Sequence, residues 1–484
     1  MKGTDEMKKT KIICTMGPNS DNEEVLRSLV RGGMDIARFN FSHGTHEEQK
    51  ARMDMLKRIR DEEKKPVAIL LDTKGPEIRT GVLKEGKKVH LEDGALFTLT
   101  TEEIEGDESR VFITYPGLVE DVQIGSRILI DDGLIELKVK KKKGPEIICG
   151  VINGGELGER KGVNVPDVPV RLPAITDKDR EDIRFGVGQK IDFIAASFVR
   201  NAECILEIRS FLKSCDAPYI PIIAKIENGE GIKNIDEIIR CADGVMVARG
   251  DLGVEIPAEE VPYLQKMMIQ KCNDNYKPVI TATQMLDSMM RNPRPTRAEV
   301  TDVANAVYDG TDAVMLSGET AAGKYPVEAL RMMVHIVENT EEHLDYKTML
   351  QKAEEHHLKS ASSALAHATV TTAENLQAKC IITPTVSGAT ARVVSKFKPK
   401  TEIIGMSPSE ATLRRMQIYW GVRPLKSIEA GSTDEICNSA LDLVCAKQLA
   451  ETGDVVVLTA GIPSPAIGGY KTGVSNMMKI TVVE

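Results

Sequence analysis

The chain has 484 residues, too many for a single hydrophobic core, so its length predicts two to four domains. A formal net charge of −9 argues against a nucleic-acid-binding protein, and nine cysteines without a Cys-x-x-Cys pair favour reduced thiols over disulfides or zinc. No window approaches about 20 consecutive apolar residues and the N-terminus lacks an apolar signal core, which predicts a cytoplasmic protein without a membrane span.

Eight short apolar runs are typical of buried parallel strands. They are Lys11–Thr15, Met34–Phe41, Val67–Leu71, Ile191–Phe198, Tyr219–Ile226, Gly244–Ala248, Pro278–Ala282 and Asp312–Leu316. Strands that alternate with helices predict an α/β fold, and eight such units favour a (β/α)8 barrel over an open doubly wound sheet.

Segments with apolar residues at helical spacing separate most of these strands. They are Asp21–Arg31, Asn201–Leu212, Ile232–Cys241, Glu259–Cys272, Arg297–Val307 and Val327–Val337. Ser20 precedes the first of them and is its predicted N-cap.

The long connection between the third and fourth strands has a different character. Its short β-prone runs are separated by Gly and Asp, which predicts a small antiparallel β-barrel domain inserted after the third strand. The predicted limits are residues 75–170 for this inserted domain, with the barrel at 1–74 and 171–345. The basic run Lys140–Lys143 is interpreted as a solvated turn.

A third region, residues 346–484, alternates helices and strands again. The polar segment Lys352–Lys359 indicates the end of a helical linker. The pattern that follows predicts an open α/β domain at the C-terminus.

In a barrel of this kind, catalytic groups come from the carboxyl ends of the strands. Six of the eight predicted strands end in, or are followed by, polar or charged residues. These are Arg38, Asn40, Ser42, Asp72, Thr73, Lys74, Arg79, Lys225, Glu227, Arg249, Asp251, Thr283, Gln284, Ser317 and Glu319. Any one of them could cap a helix or form a structural ion pair, but their presence on six strands of one rim favours an active site.

The residue types at this rim indicate the chemistry. Carboxylates with few histidines favour a hard cation such as Mg2+ or Mn2+. Glu227 and Asp251 would hold it only in part, so a substrate oxygen is expected to complete the shell. Arg38, Arg79 and Lys225 could neutralise a phosphoryl group, whose transfer depends on positioning and charge stabilisation.

One segment imitates a nucleotide-binding loop. Gly318–Lys324 matches the first seven positions of a Walker A motif, but Tyr325 occupies the position of the magnesium-binding hydroxyl. This substitution excludes a P-loop here.

A second candidate site lies in the C-terminal region. The segment Thr383–Thr390 follows a strand and opens a helix, where hydroxyls and backbone N–H groups favour anions. Arg392 and Lys396 lie on the first turns of that helix. The residues predicted to contact a phosphorylated effector are Thr383, Thr385, Ser387, Gly388 and Thr390. An ordinary capped turn is the alternative.

Seven segments resemble the pyruvate kinase family in order and context. They are Ala37–Gly44, Leu71–Gly81, Ala224–Asn228, Ala248–Gly253, Ala282–Leu286, Asn292–Ala306 and Met315–Thr320. The resemblance covers essentially the whole chain. It implies that the inserted β domain is a lid and that residues 346–484 are a regulatory domain. It also implies a homotetramer that transfers a phosphoryl group from phosphoenolpyruvate to ADP, the last step of glycolysis.

The resemblance implies a role for each matching residue. Lys225 would stabilise the transferring phosphoryl group, Glu227 and Asp251 would hold the divalent cation, and Arg38 would contact phosphate. The residues implied in binding the substrate carboxylate, mostly through their backbone, are Ala248, Arg249, Gly250, Asp251 and Thr283. Thr283 would also lie near the enol carbon that gains a proton.

The resemblance also implies nucleotide and potassium sites. Arg79 would contact phosphate and Lys161 would reach the nucleotide from the lid. The implied K+ ligands are Asn40, Ser42, Asp72 and Thr73. Family members with Glu at the position of Glu77 tend to need K+, whereas members with Lys there tend not to, since a fixed ammonium replaces the ion. A salt bridge from Glu77 to Arg79 or to the lid is the alternative.

Two places depart from the family pattern. Asp167 stands where Gly is usual, which concerns the lid hinge, and the segment Gly461–Asn476 is unlike the shorter family loops, which leaves the activator open.

Two other functions are possible from the sequence: a carbon–carbon lyase or similar barrel enzyme that handles phosphoenolpyruvate or pyruvate, and a catalytically inactive metabolite sensor. The lid with Lys161 disfavours the first, and the complete charged rim disfavours the second.

Overall fold

The computed structural model describes residues 8–356, 360–428, 432–461, 465–466, 469–470 and 475–484. At its centre is a closed barrel of eight parallel strands, in which strands next to each other in the barrel also follow each other along the chain. The strands are Lys11–Thr15, Ile36–Asn40, Ala68–Asp72, Phe193–Ala196, Ile222–Ile226, Gly244–Ala248, Val279–Ala282 and Ala313–Leu316. All eight predicted strands are present, which confirms the (β/α)8 barrel.

Helices surround the barrel, and the two long helices His46–Glu62 and Asp177–Gly188 were not predicted from the sequence. The others are Glu23–Arg31, Ala202–Ser214, Gly229–Lys233, Ile235–Cys241, Arg249–Glu255, Val261–Asp274, Arg297–Tyr308, Gly318–Ala321 and Pro326–Glu342. The predicted cap of the first helix is wrong. The Asn22 side chain accepts two backbone N–H groups of the first turn, whereas Ser20 bonds to Gly17.

The inserted lid contains a six-stranded sheet and a two-stranded sheet around one apolar core. Its strands are Val89–Leu91, Leu96–Thr100, Arg110–Phe112, Arg127–Ile130, Ile135–Lys143, Glu146–Asn153, Gly155–Leu157 and Val163–Asn164, with a helix at Leu118–Asp121. The strand order of the six-stranded sheet does not close, and Leu96–Thr100 pairs in parallel with Arg110–Phe112. Lys140–Lys143 continues a strand and is exposed, so the predicted turn is wrong.

The C-terminal region forms a separate five-stranded sheet with helices, as predicted. Its strands are Cys380–Pro384, Glu402–Ser407, Val422–Lys426, Val455–Ala460 and Met477–Val482, and its helices are Tyr346–His356, Ala361–Asn375, Ala389–Ser395, Glu410–Met416 and Thr433–Ala446. A two-stranded ribbon joins Pro465–Ala466 to Gly469–Tyr470, but most of the unusual 461–476 segment lies outside the described residues. Within the described ranges, no helix has both the length and the apolar character of a membrane span.

Candidate active site

Lys225 is the centre of a buried charged cluster at the carboxyl end of the fifth barrel strand. Its Nζ donates to Ser197 Oγ at 2.7 Å and lies 3.1 Å from Asp72 Oδ1 and 2.9 Å from Glu227 Oε1. Burial alone would lower the pKa of Lys225, but the two carboxylates raise it above its usual value. The side chain is therefore a fixed positive charge at the rim.

Asp72 connects Lys225 with Arg38. Its Oδ2 accepts a hydrogen bond from Arg38 Nε at 2.6 Å, and the same guanidinium donates to Thr15 Oγ1 at 3.0 Å. Burial would raise the pKa of Asp72, but the charges of Arg38 and Lys225 hold it below its usual value. Three strands thus fix the orientation of Arg38.

Glu227 and Asp251 have the properties of a divalent-cation site. Glu227 is only 2% exposed and accepts the backbone N–H of Phe198 at 2.6 Å. Burial raises the pKa of Glu227, and the charge of Asp251 raises it further. A divalent cation would relieve this repulsion, so the pair fits Mg2+ or Mn2+. No cluster of three or more His, Cys, Asp or Glu suited to a metal occurs among the described residues, so other oxygens would complete the shell.

The four predicted potassium ligands lie at the ends of the second and third strands. Asn40 and Asp72 are register partners, and Asn40 Oδ1 accepts the backbone N–H of Ser42 at 2.9 Å. The carbonyl oxygen of buried Thr73 accepts a hydrogen bond from Ser197 Oγ at 2.6 Å. Amide, hydroxyl, carboxylate and carbonyl oxygens in one place fit a hard monovalent cation.

Ser197 is a site residue that the sequence analysis missed. It follows the fourth strand, and its Oγ lies within hydrogen-bonding distance of Lys225 Nζ, Asp72 Oδ1 and the Thr73 carbonyl. One hydroxyl therefore joins the lysine to the predicted potassium ligands. No sequence signal marks it, because a single Ser after an apolar strand is common.

The ends of the sixth and seventh strands bond to each other. The Arg249 side chain donates to the carbonyls of Ala282 at 3.2 Å and Thr283 at 2.7 Å, so it braces the seventh strand. Thr283 Oγ1 accepts the backbone N–H of Gly250 at 2.7 Å. Arg249 can therefore serve a substrate only through its backbone, within the segment Ala248–Asp251.

A cavity of about 420 Å³ lies between the lid and the barrel rim. Arg79 and Lys161 line it from the side of the lid, and Asp251 lines it from the barrel. Lys161 Nζ lies 2.9 Å from Asp131 Oδ1, and Arg79 Nε lies 2.7 Å from Glu77 Oε2. Cationic groups of the lid side thus face a predicted metal ligand across a space large enough for a small molecule.

The lid contacts the barrel at the margin of this cavity. Asn164 Nδ2 donates to Glu255 Oε1 at 3.3 Å, and Lys233 Nζ lies 3.4 Å from Asp167 Oδ1. Asp167 has φ +62°, a conformation that favours glycine. Asp167 therefore adopts the left-handed backbone that glycine adopts without strain, at the position where the sequence analysis expects glycine.

The Walker-like segment has a structural role. Gly318–Ala321 is a single helical turn, and buried Glu319 accepts the backbone N–H groups of Leu286 at 3.0 Å and Ser317 at 2.7 Å. Glu319 therefore holds two loops together, although its position had suggested a rim residue.

The predicted effector segment forms a turn in the C-terminal domain, apart from the rim. Thr385 Oγ1 accepts the backbone N–H of Gly388 at 3.0 Å, and Gly388 has φ +84°. Ser387 is exposed, whereas buried Thr390 bonds to Ser475 with an Oγ distance of 2.9 Å. The turn is a compact loop, and its tip carries the exposed hydroxyl of Ser387.

The side chains of Thr383 and Lys396, on either side of this turn, make contacts away from it. Thr383 is fully buried and donates to the Ile404 carbonyl at 3.2 Å. Lys396 is 2% exposed and forms an ion pair with Asp312 at the base of the barrel. The charge of Lys396 is therefore paired inside the protein with Asp312 and does not serve the turn.

Comparison with known proteins finds one family along nearly the whole chain. Residues 7–330 match the family described as "Pyruvate kinase, barrel domain", and residues 363–481 match "Pyruvate kinase, alpha/beta domain". The chain is 52% identical to "Pyruvate kinase" of Geobacillus stearothermophilus, over 98% of this chain and 80% of that protein. It is 51% identical to "Pyruvate kinase" of Staphylococcus aureus MRSA252, over 99% and 81%. A crystal structure of a pyruvate kinase from Cryptosporidium parvum superposes with a TM-score of 0.92 at 40% identity, over 99% of this chain and 96% of that one.

Proposed function

The chain belongs to the pyruvate kinase family, and we propose that it transfers the phosphoryl group of phosphoenolpyruvate to ADP, giving pyruvate and ATP. The observation that carries this proposal is Lys225, fixed between Asp72 and Glu227 beside the predicted metal ligands. Family membership implies a phosphotransferase that uses a divalent metal and potassium. The cluster supplies the charges that such a transfer needs.

The residues at the rim divide this work. The divalent cation, Mg2+ or Mn2+, would supply positive charge to substrate oxygens when it is bound by Glu227 and Asp251. Lys225 would offset the charge of the phosphoryl group throughout transfer, and Arg38 would orient it. Thr283, bonded to Gly250, would stand near the carbon that gains a proton, and the backbone of Ala248–Asp251 would bind the carboxylate.

The lid would supply the nucleotide contacts. Arg79 and Lys161 line the cavity opposite Asp251, which supports an ADP site between lid and barrel. The cation K+ would bind among Asn40, Ser42, Asp72 and Thr73. These oxygens would hold a positive charge beside the phosphate site.

The proposed organisation follows the family. The barrel would comprise residues 1–74 and 171–345, the lid 75–170 and the regulatory domain 346–484. A homotetramer is proposed on the same ground, with a phosphorylated effector at the turn of Thr383, Thr385, Ser387, Gly388 and Thr390.

One assay tests the proposed reaction against its two alternatives. Purified protein is given phosphoenolpyruvate, Mg2+ and K+, and pyruvate and ATP are measured with and without ADP. Pyruvate and ATP in equal amounts, only when ADP is present, are expected. Pyruvate without ADP would favour another barrel chemistry, and no pyruvate under any condition would favour an inactive sensor.

Glu227→Gln and Asp251→Asn are each expected to raise the half-saturating Mn2+ concentration at least about tenfold and to lower turnover, because each removes a charged oxygen ligand. Mn2+ titration followed by electron paramagnetic resonance measures the binding directly. Asp236→Asn is the matched control, because the Asp236 side chain is exposed and pairs with Lys271. Unchanged Mn2+ binding in both variants would remove these carboxylates from the metal site.

Replacing Ser387 and Thr390 together by Ala is expected to abolish activation by phosphorylated sugars or nucleoside monophosphates, without changing the maximal rate. The turn would lose two hydroxyls, and it lies far from the rim. Saturation curves for phosphoenolpyruvate, with and without each activator, measure the effect. A double variant that responds to every activator as the wild type does would place the effector site elsewhere.

A further inference from the structure

We propose that Gln49 and Lys178 are positioning residues that fix the loop after the second barrel strand and thereby set the affinity for K+. The proposal rests on the proposed function, because that function assigns Asn40 and Ser42 to the potassium site. It adds two residues that contact neither the substrate nor the ion. Each of them holds main-chain carbonyls of the loop from a different helix.

Gln49 holds the loop from the helix His46–Glu62. Its side chain is 3% exposed, although it lies among polar residues in the sequence. Its Nε2 donates to the carbonyl of Asn40 at 3.1 Å and to that of His43 at 2.9 Å. Both hydrogen bonds of this buried amide nitrogen go to the same loop, so they fix the two ends of that loop relative to each other.

Lys178 holds the middle of the same loop from the helix Asp177–Gly188. Its Nζ donates to the carbonyl of Phe41 at 3.1 Å and to Asp182 Oδ2 at 2.7 Å. The other oxygen of Asp182, whose side chain is 1% exposed, lies 2.7 Å from His46 Nε2. The His46 ring in turn stacks on Phe185, with a centroid distance of 4.4 Å.

These contacts occupy the main-chain carbonyls of Asn40, Phe41 and His43, and so they leave the intervening Ser42 in a fixed backbone. The backbone that carries the side chains of Asn40 and Ser42 is consequently fixed before an ion arrives, next to the strand of Asp72, the register partner of Asn40. Gly44, at φ +77°, allows the sharp turn that returns the chain to the helix. If about one residue of this loop becomes mobile, ion binding should weaken about tenfold. The ion would then have to fix the backbone of that residue, at a cost in conformational entropy.

The test uses Gln49→Met and Lys178→Met, which keep side-chain length and remove the donors. Each is expected to raise the half-saturating K+ concentration about tenfold, with turnover at saturating K+ retained. The second readout is the melting temperature in KCl minus that in tetramethylammonium chloride, which reports ion binding without catalysis. Lys178→Arg should restore wild-type values, and Lys50→Met, which alters only an exposed pair with Asp54, should leave them unchanged.

A double-variant comparison separates a positioning role from general weakening of the fold. In a Glu77→Lys background, where we expect activity without K+, Gln49→Met should leave the activity at subsaturating K+ unchanged, although it lowers that activity in the wild-type background. Equal losses with and without that background, or unchanged K+ titrations in both Met variants, would overturn the inference. A wild type that makes pyruvate but shows no K+ response would also overturn it. Absence of ADP-dependent pyruvate would instead reject the proposed function, while the melting-temperature difference would still test the loop.

Discussion

Replacing Lys225 by Met is expected to lower phosphoryl transfer by at least about a thousandfold, because its ammonium lies beside proposed ligands of both the divalent cation and K+. Its Nζ has partners at 2.7–3.1 Å at the ends of three barrel strands, so its position is fixed. The measurement is ATP formation from phosphoenolpyruvate and ADP at saturating Mg2+ and K+. We expect the loss in turnover rather than in apparent substrate affinity, since the charge acts on the phosphoryl group during transfer.

The same substitution also affects stability, and a control must separate the two effects. Removing Lys225 leaves Asp72 and Glu227 buried without their shared partner, which typically costs about 3–5 kcal/mol. Thermal unfolding therefore accompanies the kinetics, together with the rise in melting temperature on adding phosphoenolpyruvate and Mn2+. Lys233→Met removes an exposed ammonium near the same cleft and should lose little activity. Transfer close to the wild-type rate in Lys225→Met would reject the role of Lys225.

The barrel could be predicted from the sequence because its parallel strands are buried on both faces and appear as apolar runs. The helix His46–Glu62 escaped prediction because its buried face contains Gln49 beside only three apolar residues, which gives a weak periodic signal. The strand Val422–Lys426 escaped because Pro and charged residues interrupt it, as an edge strand permits. In both cases tertiary contacts determine the secondary structure, because the local sequence pattern is ambiguous.

The site could be predicted only in outline. Strand ends place residues at one rim, but they do not tell which way a side chain turns. Arg249 and Glu319 were both expected at the rim, yet the first braces a neighbouring strand and the second caps backbone N–H groups of two loops. Ser197 carries no charge and no motif, although it touches Lys225. Side-chain direction depends on partners far away in the chain, which sequence spacing does not encode.

Glu77→Lys is expected to make the enzyme active without K+, towards the rate of the wild type saturated with K+. Phosphoenolpyruvate and ADP bring several negative charges to the rim, and Asp72 and Glu77 add to them. One positive charge about 5 Å away is worth about 3 kcal/mol at an effective dielectric constant of about 20, so losing K+ should slow the wild type about a hundredfold. A fixed ammonium at position 77 would supply that charge permanently.

The structure sharpens this test, because Glu77 does form an ion pair with Arg79 at 2.7 Å and lies 3.8 Å from Lys74 Nζ. If pairing with Arg79 were the only role of Glu77, Glu77→Gln and Glu77→Lys would both release Arg79, and neither variant would work without K+. If the charge at this position substitutes for the ion, only Glu77→Lys gains activity in tetramethylammonium chloride, and Glu77→Gln keeps its K+ requirement. Rates in tetramethylammonium chloride and in KCl at equal ionic strength distinguish the two roles. Full wild-type activity without K+ would reject the K+ requirement itself. The substrate phosphate would then bind without an ion at the oxygens of Asn40 and Asp72.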